Sequence, residues 1–187
     1  GGCLFDDVKP GMRIYAEESF GYVARALDAW TARWSTARRS TCEATHVHHT
    51  QSDTMLDRRM RCLDRQRART EALVALWERD VDDATLQAAG GAAAGLARPE
   101  ACDAEQLDAI PARSADRHGL EISEGLLDRA DAAQAAGKYK LALDEARKAL
   151  PGLAAIDAAA NARALALIGK LEERLEIAGA ETHLRQA

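Results

Sequence analysis

Apolar residues recur along most of this chain at steps of three and four, the period of an amphipathic α-helix. Phe20, Val23, Leu27, Trp30, Trp34 and Ala37 fall on one such stripe. It predicts a helix running from about residue 16 into the high forties. Ahead of it, Lys9-Pro10-Gly11 reads as a turn within an irregular opening segment, residues 1–14. Gln51-Ser52-Asp53 breaks the pattern, and Ser52 or Asp53 can cap the helix that follows. A second stripe carries Leu56, Met60, Leu63, Leu73 and Trp77, interrupted by Arg67 and Thr70. Two long helices joined by so short a break fold back as an antiparallel hairpin. Trp30, Trp34 and Trp77 are its expected anchors, since a large aromatic buries about 150–250 Å².

Further on, Asp82 or Asp83 caps a short helix over residues 84–89, which Gly90-Gly91 and Gly95 weaken and Arg98-Pro99 ends. Residues 103–110 read as another short helix, capped by Asp103 and stopped by Pro111. The last part is denser in Ala and Leu. It predicts helices over 120–136, 141–150, 158–176 and 178–186, with Gly137-Lys138-Tyr139 a tight turn and Pro151-Gly152 a stop. Three regions follow: a hairpin over 1–81, a connector over 82–113, and helix pairs over 114–187.

Composition points the same way. Alanine, leucine, arginine and glutamate, all good helix formers, dominate the 187 residues, and only four prolines interrupt them. No stretch alternates apolar and polar residues as a half-buried strand does. The expected class is therefore all-α. A net charge of −5 does not suggest a nucleic-acid binder. No apolar run approaches the roughly 20 residues that a membrane span needs. The opening Gly-Gly-Cys-Leu-Phe and the abrupt stop after a helical run suggest part of a longer protein.

Small residues in the last third are spaced in an informative way. Ala130, Gly137, Tyr139, Ala142, Ala146 and Ala149 are followed by Pro151, and this order resembles one tetratricopeptide repeat. Helices that cross closely need small side chains where they touch. Ala130, Ala142 and Ala149 are such positions, Gly137 allows the turn and Tyr139 packs into the pair. A degenerate second copy places Gly169 where Ala130 stood, with Ala180 and Ala187 echoing Ala142 and Ala149. Glu176 stands about where the turn glycine belongs. The step from Ala142 to Ala180 is near the family period of about 34 but somewhat longer. A generic alanine-rich helical hairpin is the plainer alternative. The tetratricopeptide reading makes this region the start of an α-solenoid.

Upstream, Cys42-Glu43-Ala44-Thr45, then Gln51-Ser52, then the run from Leu56 through Cys62-Leu63-Asp64-Arg65 resemble a segment of bacterial serine/threonine protein kinases of the myxobacterial type. Tyr15-Ala16-Glu17, Arg25-Ala26-Leu27-Asp28-Ala29-Trp30 and Cys102-Asp103-Ala104 fit the same pattern. In that family the segment lies between the kinase domain and tetratricopeptide repeats. The resemblance implies a non-catalytic region whose partners are a protein or peptide and the rest of its own polypeptide. It implies a cytoplasmic setting, or an extracytoplasmic one where a membrane helix precedes the segment, which favours a disulfide. The family's arginines and glycine near positions 46–49 are replaced here by His46, Val47, His48 and His49. A free-standing tetratricopeptide adaptor is the alternative.

Candidate chemistry is sparse. The four cysteines, at 3, 42, 62 and 102, match no zinc spacing. They read either as free core thiols or, for Cys42 and Cys62 on consecutive helices, as an oxidised pair. On a continuous helix Cys42, His46 and His49 share a face at i, i+4 and i+7, a spacing that suits zinc or copper but lacks a fourth ligand. A solvated hairpin tip is the plainer reading, and neither a resident metal nor a cofactor is expected. From Arg33 to Arg69 nine arginines face four acids, yet Asp57-Arg58 and Asp64-Arg65 interleave them as in a solvated face laced with ion pairs. No phosphate loop is present: Gly90-Gly91-Ala92-Ala93-Ala94-Gly95 lacks a lysine and a preceding strand. Gly137-Lys138 lacks the earlier glycine, Asp116-Arg117-His118 reads as a helix start, and nothing places a histidine beside Cys62. No catalytic residue is expected.

Overall fold

A computed structural model describes residues 10–79, 81–103, 117–154, 157–178 and 180–187, and these are all-α. In chain order they form α1 (Pro10–His46), α2 (Asp53–Arg79), α3 (Asp83–Ala94), a 3-10 turn (Pro99–Cys102), α4 (Arg117–Ala135), α5 (Tyr139–Ala154), α6 (Ala158–Arg174) and α7 (Ala180–Gln186). No described helix is long and apolar enough to cross a membrane. The expected helix over 103–110 and the Asp116-Arg117-His118 cluster lie largely outside the described residues.

The first helix begins earlier than its apolar stripe predicts, at Pro10. α1 and α2 run antiparallel. The indole N–H of Trp34 donates to the Leu63 carbonyl at 2.8 Å, and Arg38 pairs with Asp64 at 2.6 Å. The turn between them is held by Gln51, whose amide donates to the Thr41 carbonyl and to the Thr45 hydroxyl. The two breaks in the α2 stripe have roles of their own. Thr70 is buried and donates to the Gln66 carbonyl, and Arg67 lies over the Trp34 ring at 5.8 Å. Phe20 departs from its stripe and is 68% exposed. The contact to the third helix is made instead by Val23, Ala26 and Leu27, which pack with Trp77, Ala89 and Ala93.

Asp82 caps α3, accepting from the Thr85 backbone N–H at 2.9 Å. The helix continues through Gly90 and Gly91 to Ala94. Burial of Ala89, Ala92 and Ala93 against its neighbours outweighs the roughly 1 kcal/mol that each glycine costs a helix. α5 likewise passes through Pro151 rather than stopping there. The side chain that rewards the extra turn is Leu153, completely buried in the core.

The main core joins α4, α5 and α6 through Leu120, Leu127, Leu143, Leu153, Ala164, Ile168 and Leu171, with small alanines between them. Ala130, Ala142 and Ala149 are all at 0% exposure and belong to the same core cluster. Tyr139 packs against the same core and carries Arg174 over its ring at 4.3 Å.

The turns that end α4 and α6 are the same. The Lys138 N–H donates to the Ala133 carbonyl and the Gly137 N–H to Gln134, with Gly137 at φ 77°. At the later turn the Ile177 N–H donates to Glu172 and the Glu176 N–H to Glu173, with Glu176 at φ 55°. Each is a helix closed by a left-handed residue whose two hydrogen bonds satisfy otherwise orphaned carbonyls. The step from Gly137 to Glu176 equals the step from Ala130 to Gly169. Gly169 meets α7 so closely that an added Cβ would lie 2.7 Å from Leu184 Cγ. The two helix pairs thus share one turn geometry, although Ala180 falls one residue short of the position that matches Ala142.

Candidate functional site

Where α2, α4 and α6 meet, six charged side chains form one network. Glu124, Asp128 and Asp131 stand on α4 at i, i+4 and i+7, which places them on one face. Arg65 and Arg69 oppose them from α2 at i and i+4, and Arg163 reaches across from α6. Asp128 is the hub. One of its oxygens accepts from Arg69 Nε at 2.6 Å, from Arg65 Nη2 at 3.0 Å and from Arg163 Nη2 at 3.4 Å, and the other accepts from Arg65 Nε at 3.3 Å. Glu124 accepts from Arg65 Nη1 at 2.9 Å. Asp131 pairs with Arg69 at 3.2 Å and Arg163 at 3.1 Å.

Glu124 and Asp128 are sunk, whereas the three cations and Asp131, itself 31% exposed, are not. The Glu124 and Asp128 side chains are 8% and 6% exposed, whereas those of Arg65, Arg69 and Arg163 are 28%, 32% and 38% exposed. Solvent therefore meets guanidinium edges over buried carboxylates. Burial works to raise the pKa of Asp128, but the hydrogen bonds and positive charges of Arg65 and Arg69 overcome it and hold the carboxyl below its usual range. Burial also opposes the charge on Arg65, and the carboxylates of Asp128, Glu124 and Asp131 together more than compensate, so its pKa is raised. For Arg163, burial and the nearby Arg69 and Arg65 cations prevail, so its pKa falls below the ordinary arginine value.

Two smaller polar clusters tie the helix pairs down. Glu172, 1% exposed on α6, accepts from Arg147 of α5 at 2.8 Å and faces His183 Nδ1 of α7 at 2.7 Å. Burial pushes its pKa up, and these two partners bring it below the usual range. Asp82 at the start of α3 accepts from Lys138 Nζ at 2.8 Å, linking that cap to the α4–α5 turn. Lys138 and Thr85 hold the Asp82 carboxyl far below its ordinary pKa. Gly137 sits at this junction too, where an added Cβ would lie 3.3 Å from the Ala84 carbonyl oxygen.

The residues singled out for metal chemistry do not converge. α1 ends at His46, and His49 lies beyond it at φ 52°, so the i, i+7 relation to Cys42 has no helix to act on. Cys42, His46 and His49 are all exposed. Among the described residues, no group of three or more His, Cys, Asp or Glu side chains is arranged to hold a metal ion.

Neither of the two readings of the cysteines, free core thiols or a Cys42–Cys62 pair, describes what is formed. Cys42 is a free thiol on the open side of α1, while its neighbours Thr41 and Thr45 take the buried side. Cys62 is bonded instead to Cys102, with the two Cα atoms 5.7 Å apart. Of the arginines between 33 and 69, Arg38, Arg59, Arg65, Arg67 and Arg69 all meet acids, several of them from distant parts of the chain. Helical spacing could have marked two sides of the network but not their meeting, since the acid stripe of α4 and the Arg65/Arg69 pair are both written at i, i+4. Arg163 gives no such signal. Comparison of the chain with protein-family models, curated proteins and solved structures yields no match.

Proposed function

We propose that this chain is the non-catalytic regulatory and protein-interaction region of a serine/threonine protein kinase, holding a protein or peptide partner on the face shared by α2, α4 and α6. The observation that carries this reading is the pair of helix hairpins whose turns have the same hydrogen bonds and the same left-handed residue. Repeated helix pairs stack into extended surfaces suited to binding other chains. The long hairpin supports the same view, because its second helix, α2, packs directly on α4. It acts as the cap that such an array needs. The guanidinium edges of Arg65, Arg69 and Arg163 give that face hydrogen-bond donors in fixed positions. The kinase assignment rests on the resemblance carried by the Cys42–Thr45 and Leu56–Arg65 segments.

The test is selection from a displayed peptide library, followed by backbone NMR of the chain with a selected peptide. The reading expects a shared sequence motif and shift changes concentrated on α4 and α6 around Asp131 and Arg163. Absence of enrichment, or shifts confined elsewhere, counts against it. The kinase part is checked separately from the gene. A kinase catalytic domain encoded in frame ahead of this segment is expected, and a stop codon with an independent start there would leave the adaptor reading.

A further inference from the structure

We propose that the Cys62–Cys102 disulfide is a redox latch on the helical hairpin, and that its reduction releases residues 95–103 and alters the tryptophan groove between α1 and α2. That groove, about 420 Å³, is lined by Leu27, Trp30, Trp34, Arg67, Val74 and Glu78 among others. Trp30 and Trp34 stack there with ring centroids 6.4 Å apart.

Residues 95–103 form a strap whose regular structure is one 3-10 turn. The turn packs against both α1 and α2. Three side chains of the hairpin grip its backbone carbonyls. Trp30 Nε1 donates to Ala97 at 2.8 Å, Gln66 Nε2 to Arg98 at 3.0 Å and Arg59 Nε to Cys102 at 3.3 Å. Arg59 also pairs with the largely exposed Asp103 at 2.9 Å. Trp30 therefore belongs to both the groove and the strap. The covalent tie is the Cys62–Cys102 bond. Once it is broken, the strap keeps hydrogen bonds that water can replace and the burial of Pro99 and Cys102.

The two sulfurs differ in access. Cys102 is 2% exposed, whereas Cys62 is half-buried on α2. A dithiol reductant attacks as thiolate at Cys62 Sγ, forming a mixed disulfide as the Sγ–Sγ bond breaks and Cys102 leaves as thiolate, which takes up a proton. The reductant's second thiol then displaces Cys62 as a thiol and closes the reductant's own disulfide. Two electrons and two protons pass to the protein. This inference does not depend on the reading of the helix pairs as repeats.

The test is amide hydrogen exchange on the full chain, oxidised and in dithiothreitol, with a Cys62→Ser/Cys102→Ser variant alongside. In the reduced chain and in the variant, the Ala101 and Asp103 amides, which donate to Arg98 and Glu100, are expected to exchange at least tenfold faster. Tryptophan emission should shift to the red. The turn amides of Lys138 and Ile177 should change less than twofold, and reoxidation of the wild type should restore the strap. Unchanged strap exchange after reduction would show that the hydrogen bonds suffice, and would overturn the latch. A uniform acceleration over all helices would mark a global staple and overturn it equally. So would alkylation of both Cys62 and Cys102 before reductant is added.

Discussion

Replacing Asp128 by Asn tests the charged network at its hub. The substitution keeps the shape of the side chain and removes its charge. In the native protein four guanidinium N–H groups from three arginines converge on this carboxylate, two of them at 3.0 Å or less. A hydrogen bond to a charged group contributes roughly 1.5–3 kcal/mol, and breaking a buried ion pair costs about 3–5 kcal/mol. Solvent reaches the three arginines, which reduces these figures, and Glu124 and Asp131 remain as partners. Asp128→Asn should therefore destabilise the fold by about 2–4 kcal/mol. The assay is urea unfolding, read as a lower midpoint at unchanged slope. The pH dependence follows from the direction of the shift. The folded-state pKa of Asp128 lies below the unfolded value, so its stabilisation is fully present above about pH 4 and is lost as pH falls through the folded value. The gap between wild type and variant should be constant from about pH 7 to pH 5 and close in stronger acid. A difference under about 0.5 kcal/mol at neutral pH, or one that persists unchanged in strong acid, would refute the reasoning.

Other perturbations address the helix pairs. Gly137→Ala should destabilise by about 1–2 kcal/mol, because alanine resists the left-handed conformation, whereas Glu176→Gly at the matching turn should stabilise by roughly 0.5–1 kcal/mol; equal signs in thermal melts would deny that the turns are equivalent. Leu153→Ala should cost about 2–5 kcal/mol by leaving a cavity, and a negligible change in urea midpoint would mean that α5 does not continue past Pro151. Gly169→Ala should loosen α7, seen as faster amide exchange over residues 180–186, and Leu184→Ala in the same chain should restore protection; failure of that rescue would remove the close contact from the account.

Periodicity made most of the fold legible. A heptad-like stripe declares a helix whatever it packs on, so α1, α2 and α4 could be read directly. Boundaries were less legible where tertiary burial overrides a local breaker. Pro151 and the Gly90-Gly91 pair both signal a stop, yet Leu153 and Ala92–Ala93 gain more by continuing. The second turn was obscured for a related reason. Its left-handed position is held by glutamate rather than glycine, so hydrogen bonds to Glu172 and Glu173 identify it where composition does not. The disulfide illustrates the limit. Sequence proximity of two helices offered Cys42 with Cys62 as an alternative to free thiols, but pairing depends on which side of α1 a residue occupies and on the path of the strap back to α2. Of the charged network, the two i, i+4 stripes were present in the text of the chain, and their meeting was not.

The central claim is that the face shared by α2, α4 and α6 contacts another protein. It is tested most directly by placing a photoreactive amino acid at Ala166, a partly exposed position three residues beyond Arg163 on α6, in cells that naturally make this protein. The account predicts a discrete crosslink to a protein segment, diminished by Arg163→Ala and absent when the probe is placed at Ile122, an exposed position of α4 about half a helical turn away from Glu124, Asp128 and Asp131. No crosslink at Ala166, or equal yields at both positions, would contradict it.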